Sequence, residues 1–147
     1  MRKIDSIGNP PTGAAVTAEG VKHVMLSYHY LDIGDIDGYA SLLTKDVTLN
    51  SPGVASHSGR NAAAQAQAAQ ADLLSRHELA TVVADDRTVV VIGRLVRAVP
   101  GALEVAPREL DFADVFTLSE HGLVRSCRRY CYVPPVGKMA ATGGQES

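Results

Sequence analysis

The chain contains no tryptophan, only two phenylalanines, and only two cysteines among 147 residues. Each shortage excludes something. Cys127 and Cys131 fall four residues apart on one expected strand, which sets their alpha carbons about 13 Å apart at strand rise. That is too far for a disulfide, so they read as reduced, small, apolar fillers. The five histidines, His23, His29, His57, His77 and His121, show no ligand spacing such as His-x-x-x-His, so no metal site is expected. No cofactor is called for either. Charge of one sign is also missing: 14 Lys and Arg against 16 Asp and Glu leave a net charge of -2. A nucleic-acid or anionic-membrane partner would ask for a basic footprint, and there is none. No apolar run reaches the roughly 18 residues of a membrane span. The start, Met1-Arg-Lys-Ile-Asp-Ser-Ile-Gly, lacks the apolar core of a signal peptide, so a cytoplasmic protein is expected.

What is present is one domain's worth of chain with 46% hydrophobic residues. Residues 1–16, punctuated by Gly8-Asn-Pro-Pro-Thr-Gly13, read as an extended arm, and residues 134–147 as a mobile tail, leaving a domain over 17–133. Thr17 offers an N-cap for a helix to about Ile33, with Val21, Val24, Met25, Tyr28 and Leu31 as its buried stripe. Asp35 can cap a second helix, Ile36 to Thr44, with Tyr39, Leu42 and Leu43 inward. Asp46 to Pro52 alternates as a strand, Val54 to Arg60 is loop-like, and Asn61 to Leu74 is an alanine-rich helix. Strands follow over His77–Ala84 and Arg87–Val99 around an Asp85-Asp86 turn. Helices segregated from antiparallel strands predict an α+β domain, a curved sheet packed on about three helices. Its concave mouth would be the natural small-molecule site.

The most informative stretch runs from Glu109 to Val133 and reads as a hairpin. Alternation puts Leu110, Phe112, Asp114, Phe116 and Leu118 on one face, a single carboxylate in an apolar stripe. A loop over Ser119–Gly122 sets Leu118 opposite Leu123 and Asp114 opposite Cys127. Arg129 is then diagonal to Asp114, roughly 7–8 Å away between backbones and within an arginine's reach. Two roles fit this pair: a structural ion pair that fixes register, or a pocket acid whose protonation is tuned for chemistry. The same face, with Val91, Gly93, Leu95 and Arg97 from the preceding strand and Tyr28 from the first helix, supplies candidate contacts to a ligand. Phe112, Phe116, Cys127 and Cys131 complete an apolar wall, Gly93 leaves room for a flat ring, and Arg97 stands near the rim. Tyr130 and Tyr132 fall on the opposite face, where a partner subunit would meet them.

Several segments carry a resemblance. They are Tyr30-Leu-Asp-Ile-Gly-Asp-Ile-Asp-Gly-Tyr39, Leu43-Thr-Lys-Asp-Val47, Ser51-Pro-Gly53, Ser58-Gly-Arg60, His77-Glu78, Phe112-Ala-Asp-Val-Phe-Thr-Leu118 and Gly122-Leu-Val-Arg125. In this order and spacing, over about residues 20–133, the chain resembles the nuclear transport factor 2-like superfamily, in its ketosteroid isomerase and SnoaL-like polyketide cyclase branch. The resemblance implies a cone-shaped α+β fold, commonly a homodimer, with a deep apolar pocket and no cofactor. It also implies, residue by residue, what is missing. The ketosteroid isomerase tyrosine falls on Ser27 and its base on Ser51, while its oxyanion acid falls on Asp114. The cyclases' histidine and aspartate fall on Asp114 and Arg129. The implied activity is cyclisation, isomerisation or epoxide opening of a small, apolar, oxygenated molecule, with Asp114 and Arg129 catalytic. If Arg129 is close, Asp114 is an ionised carboxylate; if Arg129 points to solvent, a neutral Asp114 can donate a hydrogen bond.

Overall fold

Alternating and 3–4-spaced apolar residues condense into six strands and three helices in the computed structural model, which describes residues 13–52, 54–70, 75–97 and 108–132. Helix α1 spans Gly13–Ile33, α2 Ile36–Ala40 and α3 Arg60–Ala69. The strands are β1 Leu43–Ser51, β2 Val54–Ser58, β3 Ser75–Asp85, β4 Thr88–Arg97, β5 Arg108–Leu118 and β6 Val124–Cys131. They form one curved sheet in the order β2-β1-β6-β5-β4-β3. All neighbours are antiparallel except β1 and β6, which run parallel.

Helix α1 begins four residues before the expected Thr17 cap, so residues 13–16 belong to it and not to an arm; the rest of the arm and the tail lie outside the described residues. Thr17, inside the helix, donates its hydroxyl to the Asp86 carbonyl in the β3–β4 turn. Val24, Ser27 and Tyr28 are buried, but Met25 is exposed, because the stripe turns away from it. Gly20 is buried where α1 meets the sheet: a β-carbon there would lie 2.0 Å from Leu118 Cδ1. A side chain there would require the Leu118 methyl to shift.

Asp35 caps α2 by accepting from the Gly38 N–H (2.9 Å). The helix stops at Ala40, short of the expected Thr44, and Leu43 opens β1 instead. Val54–Ser58, expected as loop, is the edge strand β2. The expected helix end near Leu74 lies outside the described residues, and α3 closes at Ala69 with Gln70 as C-cap. The core gathers Val24, Tyr28 and Tyr39 from the helices with Val47, Val89, Val91, Phe112 and Phe116 from the sheet.

The β5–β6 register differs from the expected one by two residues. Asp114 faces Arg129 directly and Phe116 faces Cys127. The turn takes in Leu123, whose N–H donates to Ser119 Oγ (3.1 Å) while Ser119 N–H donates to the Leu123 carbonyl (2.8 Å). A bulge between Thr117 and Leu118 absorbs the irregularity. Side chains alternate with period two, so a slip of two leaves Asp114, Phe116, Cys127 and Arg129 on their shared face, while past the bulge Val124, not Leu123, lies opposite Leu118 and joins the core.

The sheet's other face, where a partner subunit was expected, carries exposed side chains. Ile92, Tyr130 and Tyr132 are exposed there.

Candidate functional site

The concave side of the sheet, α1 and α3 enclose two adjoining cavities, each of about 540 Å³ including the solvent at its mouth. Leu31, Gln67, Gln70, His77 and Arg129 border both. Tyr28, Asp114, Phe116 and Cys127 line the first, and Leu95 and Asp32 the second.

At the floor, β5 and β6 set Asp114 against Arg129 in a two-point pair: Arg129 Nε donates to Asp114 Oδ1 (2.8 Å) and Nη2 to Oδ2 (2.8 Å). Tyr28 adds its phenol O–H to Oδ2 (2.6 Å). Three donors converge on two oxygens, so Asp114 is an acceptor-only carboxylate, the first branch of the alternative left open by the sequence. Arg129 lies flat over the Phe112 ring, its Cζ 4.1 Å from the centroid. Burial lowers the Arg129 pKa, but the hydrogen bonds and charge of Asp114 outweigh it and leave the pKa raised. Burial first, and then the Asp114 charge, push the Tyr28 phenol well above its ordinary range. Tyr28 is thus held as a proton donor. Cys127 is also pushed up by burial, so its thiol stays protonated and inert.

A second pair forms one wall. Asp32, near the end of α1, accepts from the His77 backbone N–H (3.0 and 3.2 Å) and sits 2.6 Å from His77 Nδ1. The His77 ring packs edge-on to Tyr28 (5.0 Å) and Phe112 (5.8 Å). Burial lowers its pKa below the ordinary 6.5, against the pull of Asp32. The neutral ring carries its proton on Nδ1, since the Asp32 carboxylate can only accept, and this leaves the lone pair on Nε2.

The candidate residues therefore divide. Asp114, Arg129, Tyr28, Phe116 and Cys127 share the first cavity, and Leu95 borders the second. Val91 and Phe112 are buried behind the walls. Gly93 makes no room for a ring: a β-carbon there would sit 2.4 Å from the Glu78 carbonyl oxygen, so the space is taken by the β3 main chain. Cys131 borders a separate shallow apolar depression with Ile92, Tyr130 and Tyr132. Arg97 is exposed at the end of β4, away from both cavities. Ser27 and Ser51, matched by position to a tyrosine and a base, both line the first cavity, but Ser27 donates its hydroxyl to the Val24 carbonyl (2.6 Å). Asp32, Gln67 and Gln70 were not singled out from the sequence. A lone Asp near a helix end and two glutamines in an alanine tract carry no signal until the chain folds.

The sequence profile of the SnoaL-like domain matches residues 24–127. The chain belongs to that family. No curated protein matches it in sequence. Among solved structures, this SnoaL-like domain is similar to Bal32a from a soil-derived mobile gene cassette, at 21% identity, TM-score 0.66, covering 80% of this chain and 92% of that one. It is also similar to the epoxide hydrolase/cyclase-like enzyme SalBIII, named for pyran ring formation in the polyether salinomycin (19%, TM-score 0.66, 79% and 92%). A third is a Mycobacterium tuberculosis LEH-like epoxide hydrolase (17%, TM-score 0.67, 86% and 96%). At such identities the likeness establishes the fold, a nuclear transport factor 2-like α+β domain. Among the described residues of the SnoaL-like domain, no three His, Cys, Asp or Glu side chains group to hold a metal, and no helix is long and apolar enough to cross a membrane.

Proposed function

We propose that this SnoaL-like domain is a cofactor-independent enzyme of secondary metabolism that cyclises, isomerises or opens an epoxide in a polyketide-like, apolar, oxygenated small molecule by proton transfer. The observation that carries this is the Tyr28–Asp114–Arg129 cluster, a buried carboxylate that accepts three hydrogen bonds at the floor of an open cavity. Fixed dipoles and charges of this kind stabilise charge that develops on a substrate oxygen. Asp114, held by three hydrogen bonds, anchors the cluster, and Arg129 turns its remaining N–H groups to the oxygen. The names of SalBIII and the LEH-like hydrolase, both of this fold, support the substrate class. Two free thiols suit a reducing cytoplasm, and the exposed Ile92, Tyr130 and Tyr132 suit a homodimer.

The test is the double variant Asp114→Asn/Arg129→Met, which removes both charges and so leaves none stranded. It is expected to fold and to lose turnover of a candidate substrate. Unchanged turnover would eliminate the mechanism.

A second reading is favoured by the two-point Asp114–Arg129 pair across β5 and β6: a non-catalytic small-molecule-binding or accessory protein in which the pair only fixes the sheet. It is distinguished by ligand binding without turnover in the intact protein.

A further inference from the structure

Tyr39 reaches the first cavity from the short helix α2 and is 5% exposed, yet among the described residues no protein acceptor takes its phenol proton. We propose that Tyr39, positioned by Gln67, is a binding residue of this cavity: it donates to a second oxygen of the ligand, whose first oxygen meets Arg129. The ligand is then a neutral molecule carrying two oxygen acceptors. This deepens the proposed function and rests on it.

The first support is the contrast with the other buried hydroxyls of the same wall. Tyr28 gives its proton to Asp114 Oδ2 (2.6 Å) and Ser27 gives its proton to the Val24 carbonyl (2.6 Å). Tyr39 is equally buried, and a hydroxyl taken out of water without a partner costs stability. A phenylalanine would fill the same space at no such cost. The ring is also held in place, since Tyr39 is the buried residue of α2 and its N–H donates to the carbonyl of the capping Asp35 (3.0 Å). Its proton is therefore offered to the cavity from a fixed point.

The second support is Gln67 on α3. Its side chain bonds the Tyr39 phenol in the sense that favours the phenolate, as an amide N–H does when it donates to the phenol oxygen. An oxygen that accepts one bond makes its own O–H the better donor. Burial outweighs Gln67 and keeps the phenol pKa raised, so the proton stays on Tyr39.

Charge supplies the ligand class. Around the two cavities stand two carboxylates, Asp32 and Asp114, and one guanidinium, Arg129, with His77 held neutral by burial; the other lining groups are uncharged. That balance disfavours an anion. Both carboxylates are already paired within the protein, to His77 and to Arg129, so neither is left to draw a cation. What the cavity does offer is donors: the N–H groups that Arg129 does not spend on Asp114, and the Tyr39 O–H. The charges of Asp114 and Arg129 both act on the Tyr39 phenol, so the two donor points serve one cavity.

The test compares two saturated bicyclic probes of one shape by isothermal titration calorimetry on the full chain: decahydronaphthalene-1,5-dione, with two carbonyl acceptors, and 1-decalone, with one. The single oxygen of 1-decalone is expected at Arg129, the stronger, charged donor. Wild type is expected to bind the dione about tenfold more tightly, the gain from one further hydrogen bond. Tyr39→Phe, checked by thermal melt, is expected to abolish that ratio and leave the Kd of 1-decalone unchanged, which a loss of packing alone would not do. Gln67→Met is expected to narrow the ratio, and it supplies the measurement if Tyr39→Phe does not fold. A ratio that survives in the folded variants, or no preference for the dione in wild type, would overturn the assignment of Tyr39 and leave the proposed function standing. Tighter binding of decahydronaphthalene-1-carboxylate than of 1-decalone would overturn the neutral ligand class. Binding of neither ketone by wild type would overturn this inference and the proposed function together.

Discussion

Asp114 shows how much energy one side chain can hold. It is 2% exposed, and its removal as Asp114→Asn alone leaves the Arg129 guanidinium, itself mostly buried, without a counter-charge. The single variant is expected to lose about 3–5 kcal/mol of stability, far more than the double variant, as measured by urea denaturation. His77 gives a second residue-scale expectation, on pH. Its folded pKa lies below its unfolded one, so above about 6.5 both states are neutral and nothing is lost. As pH falls through 6.5, the unfolded ring takes a proton first and unfolding is favoured, until the folded ring also titrates. Wild type should therefore lose stability from pH 6.5 downwards more steeply than His77→Gln, in melts run at a series of pH values. At this scale Asp114 and Arg129 were legible, since a lone acid in an apolar alternation is conspicuous and a cation on the return strand is its obvious partner. The Asp32–His77 pair was not, because 45 residues separate its members and neither breaks a local pattern.

Among elements, the strongly periodic ones were legible and the weakly patterned ones were not. The α1 stripe and the valine-rich β4 announce themselves. The strand β2, with Ser56, His57 and Ser58, has no apolar alternation, and it is a strand only because β1 offers its edge, helped by a hydrogen bond from the Ser56 hydroxyl to the Asn50 side-chain oxygen. The hairpin register escaped because the bulge at Thr117 and Leu118 has no marker in sequence, while the shared face of Asp114, Phe116, Cys127 and Arg129 survived because two is a full period. Gly93 is the clearest case of an element's demand mistaken for a ligand's. In a strand, alanine would ordinarily be preferred to glycine, but here its methyl would collide with the Glu78 main chain beside the β3 bulge. Gly93→Ala is expected to cost about 1–3 kcal/mol in denaturant titrations, and Gly93 enlargement should leave ligand affinity at the cavity unchanged in any protein that remains folded.

Across the whole molecule, helices cover the concave face while the convex face keeps exposed Ile92, Tyr130 and Tyr132 around an apolar depression. If a second copy covers it, light scattering should report twice the chain mass, and Ile92→Glu combined with Tyr130→Glu should halve that value without altering the circular dichroism. A mass equal to one chain for the wild type would remove the dimer from the proposal. The α+β class and the cone-like arrangement were legible in the order of elements. The insertion of β6 beside β1 was not, since it joins the two ends of the chain's strand sequence and no local residue pattern encodes it.

That parallel seam has a consequence for synthesis on the ribosome. Of the six described strands β6 is the last to emerge, yet it is the piece that joins β1–β2 to β3–β5 and brings Arg129 to Asp114. A nascent chain ending before Val124 holds two unjoined half-sheets, with an uncompensated acid at their margin. The ion pair at the cavity floor thus doubles as a closing clasp, withheld until the sixth strand has been made.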